Sequence, residues 1–133
     1  SEAREYIQFA GFVPEEDLPG LISGADVLAL VSLWEGFGLP ALEAMACGTA
    51  VVVSDCSSLP EVTGDAGMLV DPYEEAAIAA AIEQVLLNED LRGGLETRGL
   101  ERAATFTWKR TAETVLEALE QAVARRRRNP CPE

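Results

Sequence analysis

With 133 residues, 48% of them apolar, the chain is long enough to bury one core and too hydrophobic to be disordered. The formal net charge is −13; Arg125 to Arg128 supply four of the ten cations, so the body before Arg125 sets six basic against 22 acidic residues and repels nucleic acid. No apolar run approaches the roughly 18 residues that span a bilayer, and residues 1–6 lack the layout of a signal peptide, which gives the expectation of a cytoplasmic chain.

Tyr6 to Ala10 is a short β-prone run closed by Gly11, read as a first strand. Pro14 opens a helical pattern with Glu15, Glu16 and Asp17 in the favourable first turn and Leu18, Leu21 and Ile22 on one face. Asp26 to Ser32 is apolar almost throughout, as in a strand buried on both faces. Leu39 to Cys47 holds good helix formers and stops at Gly48; Ala50 to Val53 and Gly67 to Val70 read as strands. Beyond Asp71-Pro72 the pattern is helical: Glu74 to Leu87, Asp90 to Ala104, and about Thr107 to Arg127. Asn88 is the expected stop between the first two, and Thr107 the N-cap of the third. About four strands alternating with helices define a parallel α/β sheet, whose ligands bind at the carboxyl ends of the strands.

One such end carries the informative segment, Ser32 to Gly48. Pro40 fits the first helical position, and Gly36 and Gly38 permit close approach of backbone to ligand. The amides of Gly38, Leu39 and Ala41 are then free to bind an anion, with the helix dipole behind them. No lysine or arginine lies between Glu5 and Leu91, so amides are the only phosphate cradle this stretch offers. Glu35 precedes the helix and Glu43 lies about one turn inside it; helical side chains lean toward the N-terminus, so both carboxylates can border that cradle. Beside a phosphate, a carboxylate suits hydroxyls, and a nucleotide-sugar supplies them on its ribose and on its sugar. The local pattern is equally compatible with a structural glycine turn flanked by solvated glutamates.

Glu35 and Glu43, separated by seven residues within Glu-Gly-Phe-Gly-Leu-Pro-Ala-Leu-Glu-Ala-Met-Ala-Cys-Gly, closely resemble the signature of family 4 glycosyltransferases of the GT-B fold. The resemblance extends from Phe9 to Val13 through Gly48-Thr49-Ala50-Val51-Val52 and Leu59-Pro60-Glu61-Val62 to Phe106-Thr107-Trp108, with Ala50 where the family often has proline. It implies a Rossmann-like parallel sheet flanked by helices, part of the C-terminal half of such an enzyme. Residues 1–124 would be the nucleotide-sugar-binding domain, truncated at its N-terminal side, and 125–133 a basic and polar tail. It further implies a retaining transferase in which Glu35 holds the donor sugar, the amides around Phe37 to Leu39 hold the diphosphate, and Glu43 holds the ribose. Glu35 is thus the candidate catalytic residue, and Glu35, Gly36, Phe37, Gly38, Leu39 and Glu43 the candidate donor-binding residues.

The donor is a nucleoside-diphosphate sugar used as substrate, and neither cofactor nor metal is expected. Members resembling this chain carry an upstream arginine and lysine and an N-terminal acceptor domain, so the chain by itself is expected to be inactive. Three other readings stand beside this one: a non-catalytic nucleotide-sugar-binding or interaction module, an epimerase of similar architecture, and Glu35 as the nucleophile of a retaining glycosidase. Cys47, Cys56 and Cys131 show no CxxC spacing, there is no histidine, and the thiols read as ordinary. Trp34 and Phe37 are placed at the cleft, Trp108 as a core or domain-contact anchor, and Glu61 as a helix-start carboxylate. Arg125 to Arg128 read as the solvated end of a helix, with peripheral contact to an anionic membrane as the alternative.

Overall fold

The computed structural model describes residues 2–128. These residues form two compact units, divided after Ala103. In the first, three strands, β1 (Val27–Leu30), β2 (Ala50–Ser54) and β3 (Gly67–Val70), form a parallel sheet in the order β1-β2-β3. Val27 pairs with Ala50, and Val51 with Gly67. The helices are α1 (Leu18–Ser23), α2 (Leu39–Ala46), α3 (Leu59–Thr63), α4 (Glu75–Leu87) and α5 (Glu89–Ala104), the last running one residue into the second unit.

β2 shows why the sequence folds this way. All five of its residues are buried, and because side chains alternate along a strand they serve two cores. Val51 and Val53 face Ala41, Ala44 and Met45 of α2 and Leu59 and Val62 of α3. Ala50 and Val52 face Ala81 and Val85 of α4 and Leu95 of α5. The result is a layer of helices on each side of a parallel sheet, the α/β arrangement expected from the alternation of elements. α5 also reaches the first core: a Cβ on Gly99 would lie 3.3 Å from Met45 Cγ, so glycine permits the close crossing of α5 and α2.

Helix ends follow the sequence closely. Gly48, at φ 76°, ends α2; Gly48 N–H donates to Met45 O at 3.1 Å and Thr49 N–H to Ala44 O at 2.9 Å, the paired bonds of a Schellman stop. Asn88 both closes α4 and caps α5, its Oδ1 accepting from Leu91 N–H at 2.9 Å. Glu61 lies in the first turn of α3.

Four expectations are corrected. Tyr6 to Ala10 forms no strand: Glu2–Tyr6 is a 3-10 turn and residues 7–10 are exposed, since β propensity counts only where a neighbouring strand accepts the ladder. Three strands are therefore present among the described residues, not four. The run around β1 is half-buried, with Ala29 exposed, because β1 pairs on one side only. Pro14 to Asp17 is a turn, Asp17 N–H donating to Pro14 O at 3.0 Å, and α1 begins only at Leu18 with Pro19 in its first turn.

In the second unit, α6 (Trp108–Arg128) is a single helix capped by Thr107, whose Oγ1 accepts from Arg110 N–H at 3.1 Å. Arg125 to Arg128 form its last turn, where cations suit the helix dipole. Trp108 is 88% exposed, which overturns the reading of it as a core anchor. Val115, Leu116, Leu119 and Val123 are also exposed. The remainder of the tail, 129–133 with Cys131, lies outside the described residues.

Candidate functional site

The loop from Ser32 to Gly38 leaves the carboxyl end of β1 and runs directly into α2. Gly38 is the N-cap, at φ 93° and ψ 42°, in the left-handed region. It is also buried, and a Cβ there would sit 2.6 Å from Leu59 Cδ2. Backbone conformation and packing thus both require glycine, and the requirement comes from the fold as well as from any ligand. Gly36 has open space around it, its nearest neighbour for a Cβ being Trp34 Cη2 at 3.8 Å. Trp34, Phe37 and Leu39 are exposed beside it.

The amides at this terminus divide differently from the sequence expectation. Pro40 occupies the second helical position, not the first. Ala41 N–H is used within the turn, donating to Gly38 O at 3.1 Å, and Leu42 N–H reaches the same oxygen at 3.3 Å. Ala41 is accordingly removed from the anion cradle. Helix geometry leaves Gly38 and Leu39, at the N-cap and N1, as the amides without an intrahelical acceptor. They lie at the positive end of the α2 dipole.

The two glutamates are held in opposite ways. Glu35 is partly buried and tightly tied. Ser32 Oγ donates to its Oε1 at 2.8 Å, its N–H donates to Ser57 Oγ at 2.9 Å, and its carbonyl accepts from Ser57 Oγ and Ser58 Oγ, each at 3.0 Å. Glu43 is exposed on α2 and borders a cavity of about 440 Å³ between α1 and α2. Leu18, Pro19 and Ile22 of α1, with Ala46 and Cys47, form its apolar wall, and Glu15 adds a second carboxylate. A cavity with two carboxylates and no cation suits a hydroxyl-bearing, partly apolar group and disfavours a phosphate.

Glu35 and the glycine loop do not line that cavity. The structure therefore brings Glu35, Gly36, Phe37, Gly38 and Leu39 together at the β1 to α2 junction and sets Glu43 on the α1 side of the same helix. Sequence reasoning missed Ser32, Ser57 and Ser58 as partners of Glu35, and the α1 wall of the cavity. The serines left one usable sign: Ser57 and Ser58 follow β2, and the ends of neighbouring parallel strands share one edge of the sheet.

Cys47 and Cys56 are free thiols. Among the described residues, no group of three metal-ligating side chains occurs, and no helix is long and apolar enough to cross a membrane.

A parallel sheet between helical layers, with a glycine loop and a carboxylate where the first strand meets the helix, defines an α/β protein of the class that binds ligands at the strand ends. Residues 1–102 match the family described as Glycosyl transferases group 1, and the chain belongs to that family. It is 47% identical over 111 residues to O-antigen chain mannosyltransferase B of Escherichia coli, a match spanning 83% of this chain and 29% of that protein. Among solved structures it superposes on sucrose-phosphate synthase from Thermosynechococcus elongatus with a TM-score of 0.77 and 34% identity, covering 92% of this chain and 32% of that one. It also superposes, with a TM-score of 0.75, on an E. coli trehalose-6-phosphate protein bound with UDP-2-fluoro glucose. There the identity is 20%, over 84% of this chain and 26% of that one, and the likeness is one of fold. These structures are glycosyltransferases of the GT-B type. The chain spans less than a third of the length of each of these relatives.

Proposed function

We propose that this chain is the donor-binding part of a retaining, family 4 glycosyltransferase that moves a sugar from a nucleoside-diphosphate sugar to an acceptor hydroxyl. The observation that carries the reading is the junction of β1 and α2. A helix N-terminus with two free amides adjoins a tied carboxylate, Glu35, and an exposed carboxylate, Glu43, faces an apolar cavity on the same helix. The diphosphate lies against the Gly38 and Leu39 amides, with Gly36 and Phe37 completing the loop. The nucleoside enters the cavity between α1 and α2, where Glu43 accepts hydrogen bonds from the ribose diol and the α1 wall packs against the apolar face.

Glu35, outside that cavity, accepts from hydroxyls of the transferred sugar and acts as the catalytic carboxylate. Its negative charge favours an oxocarbenium-like sugar as the glycosidic bond to the diphosphate breaks. The nucleoside diphosphate leaves on the face from which the acceptor attacks, so configuration is retained. The acceptor is held by a separate N-terminal domain of the full-length enzyme, and cations from outside this chain complete the diphosphate site. Mannose is the first sugar to test, given the mannosyltransferase relative.

The test is transfer by the full-length enzyme from UDP-, GDP- and ADP-linked glucose and mannose, with the anomeric configuration of the product read by NMR. The proposal expects one donor to be used, retention of configuration, and a fall in kcat of roughly 100-fold or more in Glu35→Gln, the scale of losing one electrostatic contact to the transition state. An inverted product, or a Glu35→Gln variant as fast as the parent, would contradict it.

A further inference from the structure

The last residue of the middle strand and the four that follow it, Ser54 to Ser58, lay four side chains on the backbone of the loop that carries Glu35. Ser54 Oγ donates to Ser32 O at 2.6 Å, Cys56 Sγ lies 3.4 Å from Leu33 O, and Ser57 and Ser58 hold Glu35. Ser57 is the centre of this strap. Its hydroxyl donates to Glu35 O at 3.0 Å and accepts from Glu35 N–H at 2.9 Å and from Ser58 N–H at 2.6 Å.

A serine hydroxyl has one proton and two lone pairs. Ser57 uses all three on protein partners, which leaves no capacity for a ligand and makes it a support. Its backbone is the second observation. Ser57 is the one non-glycine among the described residues with a left-handed φ, at 56°. A residue with a Cβ is disfavoured there, and such strain persists where the surroundings over-determine it. Glycine would adopt the same φ freely, but it has no hydroxyl to offer Glu35.

We infer that Ser57 is a positioning residue for Glu35, with Ser32 as its counterpart on the carboxylate; the inference rests on the donor-binding reading above. Ser57 fixes both ends of the Glu35 main chain. Ser32 Oγ occupies Oε1 at 2.8 Å and so turns Oε2 toward the substrate as the open acceptor. The two serines lie in the loops that follow β1 and β2, so the carboxylate is tied across the ends of two neighbouring strands.

The decisive variant is Ser57→Gly, which keeps the backbone conformation and removes the hydroxymethyl side chain with its hydroxyl; Ser32→Ala removes the other contact. In the full-length enzyme, both should lower kcat by roughly 10- to 100-fold, the scale expected when a reacting group is misplaced. Affinity for the free nucleoside diphosphate should stay at the parental value, because the nucleotide is held elsewhere. A Ser57→Gly enzyme with kcat within about twofold of the parent would overturn the inference, as would a loss of nucleotide affinity equal to the loss of kcat. Amide hydrogen exchange reads the same contact without turnover: Glu35 N–H should exchange at least about tenfold faster in Ser57→Gly. Unchanged exchange would overturn the positioning role whatever the activity. Faster exchange in an enzyme whose parent transfers no sugar would instead refute the proposed function.

Discussion

Replacing Gly38 by alanine tests whether the start of α2 is built as described. The new Cβ would meet Leu59 Cδ2 at 2.6 Å while the backbone stays at φ 93°. The left-handed conformation costs a residue with a Cβ about 1 to 2 kcal/mol. Leu59 is 0% exposed and packed in the same core as Ala41 and Met45, so its methyl cannot swing into solvent. Repacking around an inserted carbon adds about 1 to 3 kcal/mol. Together these amount to about 2 to 5 kcal/mol, which for a unit of roughly 100 residues lowers the melting temperature by about 10 °C or more. Gly36→Ala is the control: its Cβ makes only an ordinary contact at 3.8 Å, and stability should change by less than about 0.5 kcal/mol. Thermal unfolding followed by circular dichroism reads both variants. A Gly38→Ala protein melting within about 2 °C of the parent would refute the reasoning, since neither penalty would then be real.

Other parts of the scaffold make sharp expectations too. Arg102 Nε and Nη2 donate to Val62 O at 3.0 Å and Glu61 O at 2.6 Å, tying α5 to the end of α3; Arg102→Ala should cost about 1 to 3 kcal/mol in denaturant unfolding, and an unchanged midpoint would contradict the tie. Asn88→Ala removes the cap on Leu91 N–H and should cost about 1 kcal/mol, whereas Asn88→Asp, which keeps the acceptor, should lose little.

Much of this architecture was legible because it is set by local chemistry. Gly48 stops α2, Asn88 separates α4 from α5 and Thr107 caps α6, each through hydrogen bonds spanning a few residues. β2 announced itself by β-branched residues between turns, and its burial on both faces follows from its central place. The failures concern partners that lie far along the chain. Whether Tyr6 to Ala10 forms a strand, or β1 is covered on both faces, depends on which strands lie alongside, and hydrophobicity does not encode that. Within the site, the position of the glycine loop and the two glutamates could be read from the β1 to α2 junction. The loss of the Ala41 amide to Gly38 O could not, because it turns on whether the helix starts at Leu39 or Pro40. The hold of Ser57 on Glu35 spans 22 residues and uses serines that form no recognisable motif. Only the fold brings them together.

The central claim, that the β1 to α2 junction and the cavity beside Glu43 hold a nucleoside diphosphate, is tested most directly by calorimetric titration of the full-length enzyme with UDP, GDP and ADP at low salt, in parent and Glu43→Ala. Glu43 is exposed, with no side-chain hydrogen bond or ion pair among the described residues, so its removal should leave the fold and melting temperature intact. The account predicts saturable binding of one nucleotide, weakened about 10- to 100-fold in the variant by loss of the charged acceptor. A folded protein that binds none of the three, or a Glu43→Ala variant that binds as tightly as the parent, would contradict it.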